Sequence, residues 1–174
     1  GEKLNIRRFE KIVSEDGIVV SYIHAAGKIG VLVEAKTESD DERVKEALKN
    51  VAMQVAALKP LHTNRSEVSA EYIEKEKEIL TVAAKNEKPD ANDKIISGMV
   101  MGRINKELKE ICLLDQVYVK AEDGKQSVAQ YVAQVAKANN AKVTVKKFVR
   151  FETGEGIEKK EENFAEEVAK QMGM

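Results

Sequence analysis

The stretch Ile18-Val-Val-Ser-Tyr-Ile-His24 is followed, after Ala25-Ala-Gly-Lys28, by a second apolar stretch, Ile29-Gly-Val-Leu-Val33. Two runs rich in β-branched residues, joined by a short connection that contains glycine, are typical of a β-hairpin. His24 ends the first run, and Tyr22 lies two residues earlier on the same side of a strand. The pattern predicts that this hairpin begins an antiparallel sheet.

A sequence just before the hairpin recurs near the other end of the chain. Leu4–Gly17 and Thr144–Gly156 share a β-branched and aromatic run, a basic pair and a closing glycine at matching offsets. Such a repeat indicates one supersecondary unit that is used twice. We therefore expect residues 142–152 to close the sheet. Residues 4–13 are expected to form a strand whose partners lie upstream, in a longer protein.

Helical patterns separate these strands. Capping-box patterns at Ser39–Glu42 and Ser127–Gln130 predict the starts of two helices. The first carries a continuous apolar stripe and is expected to end before Pro60, because the residue before proline disfavours helix. After the middle of the chain, Val117–Lys120 is predicted to resume a strand.

The central part of the chain has a different pattern. Residues 69–85 and 95–111 carry narrow apolar stripes on either side of a break at Asn86–Asp90. Narrow stripes predict two antiparallel helices that pack mainly on each other and project from the body. The predicted fold class is therefore α+β: an antiparallel sheet covered by helices, with a projecting helical hairpin.

Composition restricts the function. The 174 residues include 29 Lys and Arg against 30 Asp and Glu, which argues against direct binding to nucleic acid or to an anionic membrane surface. No apolar run reaches the roughly 18 residues that a membrane span needs. The single Cys112 excludes an internal disulfide and fits a reducing compartment, so the cytoplasm is expected.

Motifs for catalysis or metal binding are weak. Gly27-Lys28 resembles the end of a phosphate-binding loop, but Ile29 replaces the required Ser or Thr. Cys112 is interpreted as a small buried hydrophobe and His62 as a surface-loop residue. These patterns predict no cofactor, no metal and no enzymatic activity. His24, at the end of a strand beside Tyr22, suits recognition, although a structural or solvent-facing role stays open.

The segment from Tyr22 to Val33 resembles the signature of bacterial elongation factor Ts, the guanine-nucleotide exchange factor for elongation factor Tu. Three further segments agree with that family in the same order: Asn5–Arg8, Val68–Glu76 and Lys147–Glu158. The resemblance covers essentially the whole chain and implies a translation elongation factor.

The resemblance also implies a domain organisation. Residues 1–13 would be the last strand of a truncated first subdomain, and residues 14–64 with 113–156 would form the second subdomain. Residues 65–112 would be the helical hairpin, and residues 157–174 a C-terminal helical module. The family's small N-terminal domain and its Thr-Asp-Phe-Val loop do not occur in this sequence. The chain is therefore expected to be a dimerisation and partner-binding region with little exchange activity.

In the family, exchange proceeds by gripping elongation factor Tu and disturbing its phosphate and magnesium site. His24 corresponds to the histidine that lies against the nucleotide-binding domain of the partner. The segment that meets the third domain of the partner corresponds to Tyr118, Val119 and Lys120. Phe164 and Val168 correspond to a terminal helix that packs on the nucleotide-binding domain.

Two other interpretations remain at this point. The chain could be a structural dimerisation or scaffold module without a GTPase partner, or a small-molecule enzyme that uses His24 with a carboxylate. A homodimer through the sheet edge or through the helical hairpin is compatible with the first of these and with the exchange factor.

Overall fold

The computed structural model describes residues 6–157. Within them the chain forms, in order, β1 (Gly17–His24), β2 (Ile29–Lys36), α1 (Glu42–Leu58), α2 (Ala70–Glu87), α3 (Asp93–Ile111), α4 (Val128–Ala138) and β3 (Thr144–Glu152). Short 3-10 turns lie at Ala25–Gly27, Arg65–Glu67 and Leu113–Asp115. The architecture is α+β, as the sequence predicts.

The sheet has the order β1-β2-β3, and both pairings are antiparallel. The predicted hairpin is confirmed, with Tyr22 opposite Val31 and His24 opposite Ile29. In the central strand the alternate residues Val31, Val33 and Ala35 are buried in the core that also contains α1. The alternation places one face of the sheet against the helices.

The first residue of β1, Gly17, lies too close to β2 to carry a side chain. A Cβ atom at this position would lie 2.0 Å from the Ala35 carbonyl oxygen and 2.8 Å from the Lys36 Cα. Both atoms belong to the neighbouring strand, so a side chain here would push β1 off β2. Glycine therefore allows the two strands to pair along their whole length.

The apolar stripe predicted for the first helix is buried. Val44, Leu48, Val51 and Val55 lie in the core, whereas Leu58 at the end of α1 is 47% exposed. The predicted capping box at Ser39 is wrong. The helix begins at Glu42, and the Asp41 carboxylate accepts the Arg43 backbone N–H at 2.8 Å. Asp41 is the residue directly before the first helical one, and it takes the capping role that the pattern assigned to Ser39.

The second capping box is confirmed. The Ser127 hydroxyl accepts the Gln130 backbone N–H at 3.2 Å, and the Gln130 side chain accepts the Ser127 N–H at 2.8 Å. The helix that follows, α4, buries Val128 and Val132 in the same core as α1. Its reciprocal cap fixes the direction in which α4 leaves the preceding loop.

The predicted helical hairpin is confirmed as well. The side chains of Ser69 and Asn92 cap α2 and α3. The two helices share a small core of their own, formed by Ala84, Ile96, Val100 and Ile104, which is separate from the core of the body. The sheet together with α1 and α4 forms the body of the protein.

The strand predicted at Val117–Lys120 is wrong, and the one predicted at residues 4–13, whose expected partners lie upstream, is not formed within the described residues. Val117 makes a single bridge to Ser127, and the chain then turns, with the Ala121 N–H donating to the Tyr118 carbonyl at 2.9 Å. Residues 6–13 form no strand, and Ile6 and Phe9 are 90% and 81% exposed. A strand needs a ladder of backbone partners. Residues 6–13 have no paired strand among residues 6–157.

Among residues 6–157, every helix is too short or too polar to cross a lipid bilayer.

Candidate functional site

The tip of the β1–β2 hairpin is the first surface that the sequence predicts to be functional. The Tyr22 hydroxyl lies 2.9 Å from His24 Nδ1, and the two rings are 5.8 Å apart with an interplanar angle of 32°. His24 is exposed, and Ile23 beside it is exposed as well. The contact holds the imidazole in one orientation at the surface while leaving the other ring nitrogen free of this bond.

The backbone of the tip adopts an uncommon conformation. Ala25 and Ala26 have φ angles of 50° and 53°, and Gly27 has a φ of 91°. Residues other than glycine avoid this left-handed region, at a cost of roughly 1–2 kcal/mol per residue. The Lys28 carbonyl accepts both the backbone N–H and the hydroxyl of Thr153, at 2.8 and 3.2 Å, which ties the loop to the end of β3. Strained, tethered loops of this kind are characteristic of recognition surfaces.

A row of paired residues leads from the tip across the sheet to a charged group at Glu152. His24 pairs with Ile29, and Ile29 pairs with Glu152. The Glu152 carboxylate binds Lys59 at 2.8 Å and Arg150 at 2.7 Å. Hydrogen bonds from these two cations lower the pKa of Glu152 to about 2. Glu152 is therefore ionised at neutral pH, with its charge already balanced by its neighbours.

The second predicted surface is the turn at Tyr118, Val119 and Lys120. Tyr118 is only 5% exposed, and its ring stacks on Tyr131 with centroids 4.0 Å apart and an interplanar angle of 15°. Burial and the neighbouring Tyr131 raise the pKa of Tyr118, so the phenol is neutral. Of the three residues, only Val119, which is 48% exposed, and Lys120 present side chains to solvent. Tyr118 anchors the turn from below.

Helix α1 supports this turn with polar side chains. The Lys120 ammonium donates to Asn50 Oδ1 at 2.7 Å, and Asn50 Nδ2 donates to the Tyr131 hydroxyl at 3.0 Å. The Val119 backbone N–H donates to Gln54 Oε1 at 2.8 Å. Sequence reasoning missed Asn50 and Gln54. The available signal was a glutamine at position 54, between Val51 and Val55 of an otherwise apolar stripe.

An open groove of about 1000 Å³ adjoins the turn. Tyr118 and Tyr131 form part of its wall, together with Lys120, Lys125 and Asp123. Its charges are of both signs and its tyrosines are stacked on each other, so it resembles a polar protein surface more than an enclosed small-molecule pocket.

Helix α1 and the residue that follows it lie beside both surfaces. Gln54 of α1 lies under the turn, and Lys59, which directly follows the last residue of α1 and has a φ of 48°, binds Glu152 in the row of paired residues that ends at His24. Phe164 and Val168, the other two predicted contact residues, lie outside the described residues.

The other candidate chemical groups are structural. Cys112 has no exposed surface, and burial raises the pKa of its thiol, so its interpretation as a small buried hydrophobe is confirmed. His62 is half-buried and pairs with Cys112 in an isolated bridge, so it is less exposed than predicted. In the part of the chain that the structure describes, His, Cys, Asp and Glu side chains form no cluster of three suited to a metal ion.

Comparison with known proteins assigns the family. The family model described as Elongation factor TS matches residues 1–155. The chain belongs to this family. Elongation factor Ts of Clostridioides difficile (strain 630) is 58% identical over 172 residues, which cover 99% of this chain and 55% of the relative. Elongation factor Ts of Clostridium botulinum (strain Eklund 17B / Type B) is 51% identical over 174 residues, covering 99% and 56%.

The resemblance inferred from the Tyr22–Val33 signature is thus confirmed. The chain spans about half the length of the curated relatives that it matches.

Proposed function

We propose that this chain is a partner-binding region of a guanine-nucleotide exchange factor that promotes GDP release from elongation factor Tu. Membership of the elongation factor Ts family over residues 1–155 carries the proposal. The hairpin tip and the turn at Tyr118–Lys120 support it. Tyr22 orients His24, and the buried Tyr118 and Gln54 hold the turn, so both surfaces are preorganised for binding.

The exchange factor acts through binding. A factor that binds the nucleotide-free GTPase more tightly than the GDP-bound form lowers the affinity for GDP by the same ratio. No covalent bond is made or broken in this step, so the protein is a binding protein and not an enzyme. We place this activity in the cytoplasm, where translation occurs.

Within this scheme, His24 contacts the nucleotide-binding domain of the partner. The imidazole suits this role because it is exposed and oriented by the Tyr22 hydroxyl at 2.9 Å. Val119 and Lys120 contact the third domain, with Tyr118 supporting them from the core. Phe164 and Val168 contact the nucleotide-binding domain from the C-terminal module.

The proposed organisation follows the two separate cores. Residues 14–64 and 113–156 form the second subdomain of the family's dimerisation region, and residues 65–112 form the helical hairpin, each with a core of its own. Residues 1–13 belong to a neighbouring subdomain, and residues 157–174 form the terminal module.

We propose that residues 6–13 pair with another strand, which in a solution of this chain comes from a second copy. The support is their exposed Ile6 and Phe9 side chains and their unpaired backbone. Light scattering on this chain and on a version that begins at Ser14 tests the proposal. A dimer only in the longer chain is expected, and a monomer in both would contradict it.

The main test is binding to nucleotide-free elongation factor Tu by this chain and by its His24→Ala variant. We expect the substitution to weaken binding by roughly 1–2 kcal/mol, a moderate contribution to an interface. The free energy of unfolding should change by less than about 0.5 kcal/mol, as for most surface substitutions. Ser21→Ala, at another exposed residue of β1, is the matched control and should change neither quantity.

Release of fluorescent GDP measures the activity itself. The 174 residues contain no Thr-Asp-Phe-Val segment, so we expect this chain to bind the partner weakly and to accelerate GDP release little or not at all. A parent chain without affinity for the GTPase would refute the proposed function. A His24→Ala variant that melts earlier but binds equally well would show that the histidine is structural.

A further inference from the structure

A pair of buried glutamines lies beneath the turn at Val117–Lys120. Gln54 on α1 has no exposed surface, and Gln116 at the start of the turn is 3% exposed. Long polar side chains are rarely buried to this degree, and when they are, their amide groups are hydrogen-bonded. The partners of the two amides therefore indicate why glutamine occupies these positions.

Gln54 binds the backbone on both sides of Tyr118. Its Nε2 donates to the Val117 carbonyl at 3.0 Å, and its Oε1 accepts the Val119 N–H at 2.8 Å. A side-chain amide carries one carbonyl and one NH₂ group, so it can replace the peptide group of a neighbouring strand. Val117–Lys120 has only one bridge to a neighbouring strand, and Gln54 supplies further hydrogen-bond partners for its backbone. Gln54 thereby fixes the position from which the Val119 side chain projects into solvent.

Gln116 extends the network to the helical hairpin. Gln54 Nε2 also donates to Gln116 Oε1 at 3.1 Å, and Gln116 Nε2 donates to the Glu110 carbonyl at 2.7 Å. Glu110 lies in the last turn of α3, where backbone carbonyls have no partner within the helix. The two glutamines therefore join α1, the turn and the base of the hairpin.

We propose that Gln54 is a positioning residue for partner binding. It holds the backbone of Val119 so that the Val119 and Lys120 side chains are presented in a fixed geometry. Gln116 ties this arrangement to the end of α3. The inference rests on the proposed function, because the turn matters in this way only if it contacts a partner.

Gln54→Met tests this role, since methionine has a similar length and no hydrogen-bonding amide. The Val119 N–H loses its acceptor, and the loss of one such hydrogen bond corresponds to about tenfold in an equilibrium constant. We expect amide exchange at Val119 to become about tenfold faster. The Tyr118 N–H is the internal control, because it donates to the Gln126 carbonyl at 2.8 Å and should keep its exchange rate relative to the rest of the body.

Binding to nucleotide-free elongation factor Tu gives the second measurement. Gln54→Met should weaken binding by about tenfold at a temperature well below its melting transition. Val55→Ala is the control, because it removes buried volume from the same helix and leaves the hydrogen bonds of Gln54 and Gln116 intact. It should lower stability, and the variant should bind elongation factor Tu as tightly as the parent. Gln116→Met keeps the bond between Val119 and Gln54, so its Val119 amide should exchange more slowly than in Gln54→Met.

The outcomes are distinct. Equal acceleration at Tyr118 and Val119 would overturn the inference, because it would report general destabilisation. Faster exchange at Val119 with unchanged binding would overturn the role in partner contact. A parent chain that does not bind would refute the proposed function, and the exchange rates would still decide whether Gln54 holds the turn.

Discussion

The body and the helical hairpin of this protein are stabilised in different ways. The body buries residues from both ends of the described chain, since β1 and β2 pack with α1, α4 and the distant strand β3. The hairpin joins two helices that are neighbours in sequence, and its core contains four buried residues. The hairpin tip and the turn at Tyr118–Lys120 both lie on the body, where long-range packing holds the residues that support them in place.

The helices of the two regions differ in how much they bury. α1 buries eight residues, including Leu48, Val51 and Gln54, whereas the buried residue of α2 is Ala84. A helix with a broad buried face is held by several neighbours, and a helix with a narrow one is held by a single partner. We therefore expect the hairpin to open locally without unfolding the body.

The largest effect should come from the core of the body. Leu48→Ala removes a side chain with no exposed surface and should lower the free energy of unfolding by about 3–4 kcal/mol, because a cavity remains. Denaturant unfolding measures it. Leu58→Ala is the same change at the exposed end of α1 and should cost less than about 1 kcal/mol. Equal losses at the two positions would contradict the assigned core.

A somewhat smaller and more local effect is expected in the hairpin. Ile104→Ala removes a buried side chain from its small core and should lower the free energy of local opening by about 2–3 kcal/mol. Hydrogen exchange should accelerate in α2 and α3 and remain unchanged in α1. The exposed Ile79 on α2 provides the control substitution to alanine. Acceleration of α1 amides in step with α3 would show that the two regions unfold as one unit.

The helix caps allow the same substitution in both regions. Ser127→Ala in the body and Ser69→Ala in the hairpin each remove an oxygen that accepts a backbone N–H at 3.2 Å. Each should cost about 1 kcal/mol. The loss at Ser127 should be seen in global unfolding, and the loss at Ser69 in amide exchange of the hairpin. Aspartate at either position should restore most of it, and a failure of that rescue would argue against a capping role.

The smallest expected effect is on how the stability of the fold depends on pH. Glu152 has a pKa near 2 in the folded state because Lys59 and Arg150 bind it, against an ordinary value of 4.5. A carboxylate with a lowered folded pKa contributes stability that is complete above about pH 4.5 and lost as the pH falls towards 2. Melting temperatures measured between pH 6 and 2 should therefore fall less steeply for Glu152→Gln than for the parent. Identical slopes would mean that this ion pair is not linked to folding.

Much of the fold could be predicted because its signals are local. The hairpin at Ile18–Val33, the cap at Ser127 and the two helices around Asn86–Asp90 all follow from patterns that span a few residues. The Tyr22–His24 contact was also foreseeable, since alternate residues of a strand share a face. At Ser39 the capping pattern was present, but Asp41 lay closer to the first helical residue and displaced it.

The turn at Val117–Lys120 could not be read in this way. Its β-branched and aromatic residues predict a strand, and the family resemblance assigns Tyr118 to the partner surface. In the structure Tyr118 is buried against Tyr131, and Gln54 satisfies the backbone around it from 65 residues away. Residues 6–13 have the propensity for a strand, but propensity without a paired ladder forms none.

The sequence by itself determined the hairpin, the helices with their caps, and the family, because these depend on periodicity, turn residues and a motif of contiguous residues. Only the tertiary structure decided which side chains of the proposed contact surfaces reach solvent and which support them. Burial and hydrogen-bond satisfaction depend on partners distant in the chain, such as Gln54 with Val119 and Lys59 with Glu152, which are 65 and 93 residues apart.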